Sequence, residues 1–237
     1  MKDRSTKHLA RLTSLLAFDA NCLQEINVQQ KASFTGVLGV DEVGRGSLIG
    51  PVMAAALVFP SDYDPLAEPL LQELDDSKAA HLNHSKRLRL ANMLRQHCFW
   101  GIGEADREEI ETLNIAQASL LASYRAIEHL KNHFPECPIE TYTVIIDGRF
   151  RIPGLSLYQF PQVKADALSA AVAGASVLAK AHRDEWVIQL AQNYPGYGWE
   201  SNAGYPTPSH KKALETLGPT PYHRRTYKTV QQAMIQV

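Results

Sequence analysis

The stretch GVLGVDEVGRGSLIGPV, residues Gly36 to Val52, sets an apolar, β-rich run against two adjacent acids and a Gly-Arg-Gly turn. The run reads as a strand ending at Asp41 and Glu42, and PVMAAALVFP, bounded by Pro51 and Pro60, reads as an adjacent strand reached through VGRGSLIG. Side chains alternate along a strand, so the two acids are expected to share a site only if the strand stops between them. Gly44 and Gly46 supply the backbone freedom for that break.

Outward from this point, strands and helices alternate. SKRLRLANMLRQH has helical spacing of Leu88, Leu90, Met93 and Leu94, with Asn83 or Ser85 as its cap, and CFWGIGEA follows as a short strand. Asn114 precedes a long amphipathic helix that Pro135 and Pro138 end. YTVIIDG is nearly continuous in apolar character, as in a strand covered on both faces, and LSLYQF is expected beside it. From Asp166 onward a helix rich in small residues is expected to pack close to the sheet, and after Tyr194 Gly, Pro and aromatic residues dominate. The expectation is an α/β fold with a mixed central sheet flanked by helices. A helical extension spans residues 1–32, the main domain 33–194, and a small helical and loop section with an extended tail 195–237.

With 237 residues, 45% hydrophobic and 21% charged, the chain has room for one full domain. No apolar run approaches the roughly 18 residues of a membrane span, and the N-terminus lacks the pattern of a signal peptide, so a cytoplasmic protein is expected. Cys22, Cys98 and Cys137 form no C-x-x-C, which argues against a disulfide scaffold or a thiolate zinc site. The net charge of -1 is unevenly spread: Ser61 to Thr112 holds eleven acids and six bases, Ser201 to Val237 five bases and one acid. A basic tail is compatible with a polyanionic partner.

Asp41 and Glu42, Asp147 after TVII, and Asp166 all stand where strands end or a helix begins, the positions at which α/β sheets gather ligand sites. Two unit charges about 4 Å apart repel by about 4 kcal/mol at an effective dielectric near 20, so four converging carboxylates need a cation or protons. All-oxygen ligands favour Mg2+ or Mn2+, ions that activate water in phosphodiester hydrolysis. Taken singly, each acid reads better as a turn residue, a helix cap or a solvated strand end, and only their joint occurrence favours a site.

The blocks GVDEVGRGSLIGPV, LDDSK, NIAQASLLA, IIDG, VKADALSAAVAGASVLAKAHRDEW, GYPTPSH and GPTPYHRR, in this order, resemble the type 2 ribonucleases H of the bacterial ribonuclease HII kind from Gly36 to Thr226. The resemblance implies a ribonuclease H-like fold, with Asp41, Glu42, Asp147 and Asp166 as catalytic acids holding Mn2+ or Mg2+. It further implies two-metal-ion hydrolysis of the RNA strand of RNA/DNA hybrids and nicking 5′ to single ribonucleotides embedded in duplex DNA, with 3′-hydroxyl and 5′-phosphate products. By the same resemblance Gly44, Arg45 and Gly46 read the ribose 2′-hydroxyl, Tyr205 packs on the sugar after the ribonucleotide, and Lys78 and Lys180 contact substrate. Lys180, His182, Arg183 and Asp184 line the groove or support the site. The 2′-hydroxyl, donor and acceptor at once, is what separates RNA from DNA locally. A nucleic-acid partner, no membrane association and a monomeric state are expected.

Two alternatives stand beside this reading. A ribonuclease HIII-like enzyme usually carries a substantial N-terminal substrate-binding domain, for which the roughly 32 residues before the first motif are too few. A hybrid-binding module without catalysis would have lost at least one acid, and all four are present.

Overall fold

The computed structural model describes residues 2–75 and 82–235, so Lys78 lies outside the described residues. At its centre a five-stranded sheet has the order β3-β2-β1-β4-β5. The strands are β1 (Gly36–Val43), β2 (Val52–Val58), β3 (Phe99–Ala105), β4 (Tyr142–Asp147) and β5 (Gln159–Gln162). β1 pairs antiparallel with β2 and parallel with β4, and β4 pairs parallel with β5, which makes the sheet mixed as expected.

Alternation along β1 separates two cores. Leu38 and Val40 join Ala54 and Ala56 of β2 against Ala122 and Ala126 of helix α4 (Ile115–His133). Val43 joins Met53, Ala55 and Leu57 against Ala173 and Leu178 of helix α5 (Ala170–Asn193) on the opposite face. The approach of α5 is close: a Cβ on Gly39 would stand 2.2 Å from the carbonyl carbon of Ala171. Glycine at this strand position therefore lets the first turn of α5 rest on the backbone of β1.

The caps follow from side-chain chemistry. Asn114 caps α4 by accepting from the amides of Ala116 at 3.0 Å and Gln117 at 3.2 Å. Of the two candidate caps for helix α2 (His84–His97), Asn83 takes the role, its side chain accepting from the Lys86 amide. The N-terminal helix α1 (Lys2–Gln30) buries Leu12, Leu15 and Ile26. Helices α6 (Trp199–Asn202), α7 (Pro208–Leu217) and α8 (Lys228–Ile235) share an apolar cluster that includes Leu48, Trp199, Leu214 and Val230.

Two local expectations are corrected and one helix is added. The strand beside β4 begins at Gln159, because residues 155–158 arch over the Gln159 side chain, whose amide donates to the carbonyls of Ile152 and Leu155. A further helix, α3 (Arg107–Leu113), forms behind an Asp106–Glu109 capping box. The tail is helical over α8, which turns Val230 and Ala233 inward. The three cysteines are free and buried, and burial pushes the Cys98 thiol up to about 12. Among the described residues no helix is long and apolar enough to cross a membrane.

Candidate active site

Strand β1 does not stop between Asp41 and Glu42. It continues to Val43, with Asp41 opposite Ala55 and Glu42 opposite Ala54 of β2. Pairing with β2 holds both acids in extended backbone, so they take opposite faces at the end of the strand. Asp41 turns toward α5, is 7% exposed, and lies within hydrogen-bonding reach of Ser176. Its Oδ1 accepts from the Glu42 amide at 2.8 Å. Glu42 turns toward α4 and lines a cleft of about 230 Å³ together with Ser119, Ser123, Asp147 and Arg149.

The parallel register, Val40 opposite Ile146, places Asp147 beside Asp41 one step further along. Asp147 in turn accepts from the Ala165 amide at 2.8 Å, which draws in the next turn. Asp166 does not open α5, as expected from sequence. It sits in a short 3-10 turn, Ala165–Ala167, and Ser169 caps the helix by accepting from Val172. The turn follows Lys164, whose φ of 60° redirects the chain toward the strand ends.

These placements leave Asp41 in an acidic setting. Burial raises its pKa well above the ordinary carboxylate value, and repulsion from Glu42, Asp147 and Asp166 adds to the rise, against the hydrogen bond from Ser176. Glu42, Asp147 and Asp166 thus all bear electrostatically on Asp41. Among the described residues, no three His, Cys, Asp or Glu side chains already close into a ligand cage. The donor set is all carboxylate, carries excess negative charge, and suits a hard divalent cation.

The Gly44–Gly46 turn is built differently. Gly44 has a φ of 89°, and a Cβ there would stand 2.3 Å from Nε of the buried Arg183. Arg183 donates to the carbonyls of Ala203 at 3.0 Å and Ile49 at 3.4 Å. Beneath the turn, the fully buried Arg224 donates to the carbonyls of Arg45, Gly50 and Pro51 at 3.0, 2.9 and 3.0 Å. The Tyr227 hydroxyl donates to the same Arg45 carbonyl at 2.6 Å. With that carbonyl held inward, the Gly46 amide, antiparallel to it across the trans peptide, points away from Arg224. The Arg45 side chain is half exposed and reaches Glu42 at 3.1 Å.

Tyr205 stands across from this turn, its ring 3.7 Å from where a Cβ on Gly46 would be. Arg183 and Lys180 flank the ring at 5.7 and 5.9 Å from its centroid. The Lys180 ammonium is bound to Asp184 at 2.6 Å. Asp184 is buried and also takes Arg87 of α2, while His182 is half-buried with Arg95, Glu104 and Glu185 as its charged neighbours. A buried chain of rings supports the Tyr205 loop: Trp199 donates to His210, His210 Nδ1 lies 3.0 Å from the Tyr205 carbonyl, and His210 and His223 meet at 3.2 Å.

The acids, Gly44, Arg45, Gly46, Tyr205 and Lys180 therefore collect at one end of the sheet, with Asp41 on its α5 face and Glu42 on its α4 face. Sequence reasoning passed over Ser176, Arg149, Phe150, Arg224 and Tyr227. The run Gly-Arg-Phe-Arg after Asp147 carried the signal for an exposed basic and aromatic rim, since Phe150 is 67% exposed. The pair His-Arg before the tail carried no sign that Arg224 would be buried under a distant loop.

Residues 38–230 match the sequence profile of the family described as Ribonuclease HII. A ribonuclease HII of Ruegeria pomeroyi is 46% identical over 200 residues, covering 84% of this chain and 79% of that protein. Among solved structures, the ribonuclease HII in the PCNA:RNase HII complex of Archaeoglobus fulgidus superposes with a TM-score of 0.60 at 24% identity, over 83% of this chain and 96% of that one. Bst-RNase HIII in complex with Mn2+ superposes with a TM-score of 0.64 at 19% identity, over 89% of this chain and 72% of that one. Both structural matches concern the ribonuclease H-like fold, and the sequence matches go further: the chain belongs to the ribonuclease HII family, hydrolases of the ribonuclease H type that act on nucleic acid.

Proposed function

We propose that the chain hydrolyses the RNA strand of RNA/DNA hybrids and nicks on the 5′ side of single ribonucleotides in duplex DNA, leaving 3′-hydroxyl and 5′-phosphate ends. Asp41, Glu42, Asp147 and Asp166 would hold a pair of divalent cations, Mn2+ or Mg2+. The observation that carries this reading is the buried Asp41, surrounded by three further acids at the adjoining ends of β1 and β4. When bound, the cations would supply an activated water and stabilise the leaving oxygen. Such ions bind through a few carboxylates and complete their shell with substrate phosphate and water.

The remaining residues bind and orient. Arg45 and Arg149, exposed at the cleft, attract the phosphate backbone, and Arg45 also has Glu42 to keep it over the acids. The Arg45–Gly46 peptide, fixed from below by Arg224 and Tyr227, offers the Gly46 amide to a 2′-hydroxyl at a rigid position. Tyr205 stacks on the following sugar, with Lys180 and Arg183 lying over its ring and holding it in place.

The test is a DNA duplex containing one ribonucleotide, offered with Mg2+ or Mn2+ in turn. A single nick 5′ to the ribonucleotide is expected, and none on an all-deoxy duplex. Tight binding without a nick at any metal concentration would replace the enzyme reading with that of a hybrid-binding module.

A further inference from the structure

We propose that helix α1, which lies outside the family-matched residues 38–230, is a positioning element for the Asp166 turn, with Arg11 as the residue that performs it. The inference rests on the reading of Asp166 as a metal ligand. The Ala165–Ala167 turn is one 3-10 turn long, too short to fix its own position, and it follows a left-handed residue. Its place is set by two anchors. On the site side, the Ala165 amide donates to Asp147 at 2.8 Å. On the far side, Arg11 Nη2 donates to the Ala167 carbonyl at 2.9 Å. Asp166 lies between them, so releasing the outer anchor loosens the backbone on one side of its side chain.

The rest of α1 is arranged to hold Arg11 still. Leu12 and Leu15 are fully buried, which fixes the helix against the domain. The Arg11 guanidinium is oriented by Asp75, with Nε at 3.1 Å and Nη2 at 2.8 Å from the same carboxylate oxygen. Two turns further, Asp19 accepts from the Ala171 amide at 3.1 Å, so α1 also grips the first turn of α5 just after the Asp166 turn. Both contacts from α1 thus fall on the C-terminal side of Asp166, at Ala167 and Ala171, while β4 holds the other side through Asp147. A tie of this kind, one step removed from a ligand, typically tunes metal affinity by tenfold or more.

The experiment compares full-length wild type, Arg11→Gln, Arg11→Lys and Asp166→Asn. Mn2+ binding is followed by electron paramagnetic resonance of the free ion, alongside thermal unfolding and cleavage kinetics. Arg11→Gln is expected to raise the Mn2+ dissociation constant roughly tenfold with KM for the duplex unchanged. Arg11→Lys keeps a charged donor for the Ala167 carbonyl but loses the fork that grips Asp75 at the same time, and is expected to lose clearly less affinity than Arg11→Gln, about threefold. Wild-type Mn2+ affinity in Arg11→Gln overturns the proposal. So does an equal loss of affinity in the Gln and Lys variants that tracks their loss of thermal stability, since that is what a merely structural residue gives. Asp166→Asn separates the premise: if it binds Mn2+ as wild type does, the ligand reading of Asp166 fails whatever Arg11 does.

Discussion

The acids at the ends of β1 and β4 and the arginines beneath the Gly44–Pro51 loop treat buried charge in opposite ways. Asp41 is buried among three carboxylates of its own sign and is pushed toward its neutral form. Arg224 is buried as deeply, yet it is surrounded by carbonyls and the Tyr227 hydroxyl, every one an acceptor. In the proposed reading the first region awaits a cation, whereas Arg224 has a partner on each of its three nitrogens as folded; of the two buried arginines among the described residues, Nε of Arg183 is the atom left without one. On that reading the recognition loop is set in the fold, while the chemistry requires the ion.

The contrast gives the two regions opposite responses to the loss of a charge. Asp41→Asn should reduce cleavage on the order of a thousandfold, as loss of a central electrostatic group does. The same variant should unfold at higher urea in the absence of metal, by about 1 kcal/mol, because it relieves repulsion with Glu42. A destabilised Asp41→Asn would break the comparison. Arg224→Ala should do the reverse and cost about 3 kcal/mol, since the carbonyls of Arg45, Gly50 and Pro51 lose their donor in a buried place. A cost below about 1 kcal/mol in urea unfolding would show that water replaces the guanidinium freely.

The smallest effect is a difference in pH response. Burial lowers the His223 pKa to about 3, below its ordinary value of 6.5. Below pH 6.5 the unfolded chain takes up a proton that the folded one refuses, so this stabilisation is complete above 6.5 and is lost as pH falls toward 3. By pH 5 the loss should reach about 2 kcal/mol, and His223→Gln should flatten the urea-unfolding profile between pH 7 and 5. Asp41 has the opposite sign. Its raised pKa lets the folded state bind a proton first, so the strain it imposes eases as pH falls through that raised value. An unchanged profile in His223→Gln would mean that the ring chain opens to solvent.

Much of this was legible in the sequence. Strands β1, β2 and β4 and helices α2, α4 and α5 announced themselves by apolar period and caps, and the four acids stood at the ends of those elements. What escaped were features set by contacts distant in sequence. Asp166 was read as a helix start because an acid before an alanine-rich run suits a cap, yet the Ser169 hydroxyl takes that place three residues later. Helix α3 was passed over because its single buried residue, Ile110, gives no periodic face. The expected break between Asp41 and Glu42 came from treating β1 as isolated, whereas β2 keeps it paired through both. Arg224 looked like one more base in a basic tail, and only the return of the tail under the loop from Arg45 to Pro51 gives it acceptors.

The register of β1 also determines where the chain can change length. Asp41 faces α5 and Glu42 faces α4 only while the count of residues from Gly36 is kept, because one residue more or less exchanges the faces of both. Between Phe59 and Asp75, and between Gly148 and Tyr158, the chain lies outside the paired strands, yet Leu71, Leu74 and Ile152 are buried there and Asp75 orients Arg11, so a change of length costs as little as loop entropy only away from those residues. The fold thus forbids a change of length most strictly in the few residues that lead up to Asp41 and Glu42.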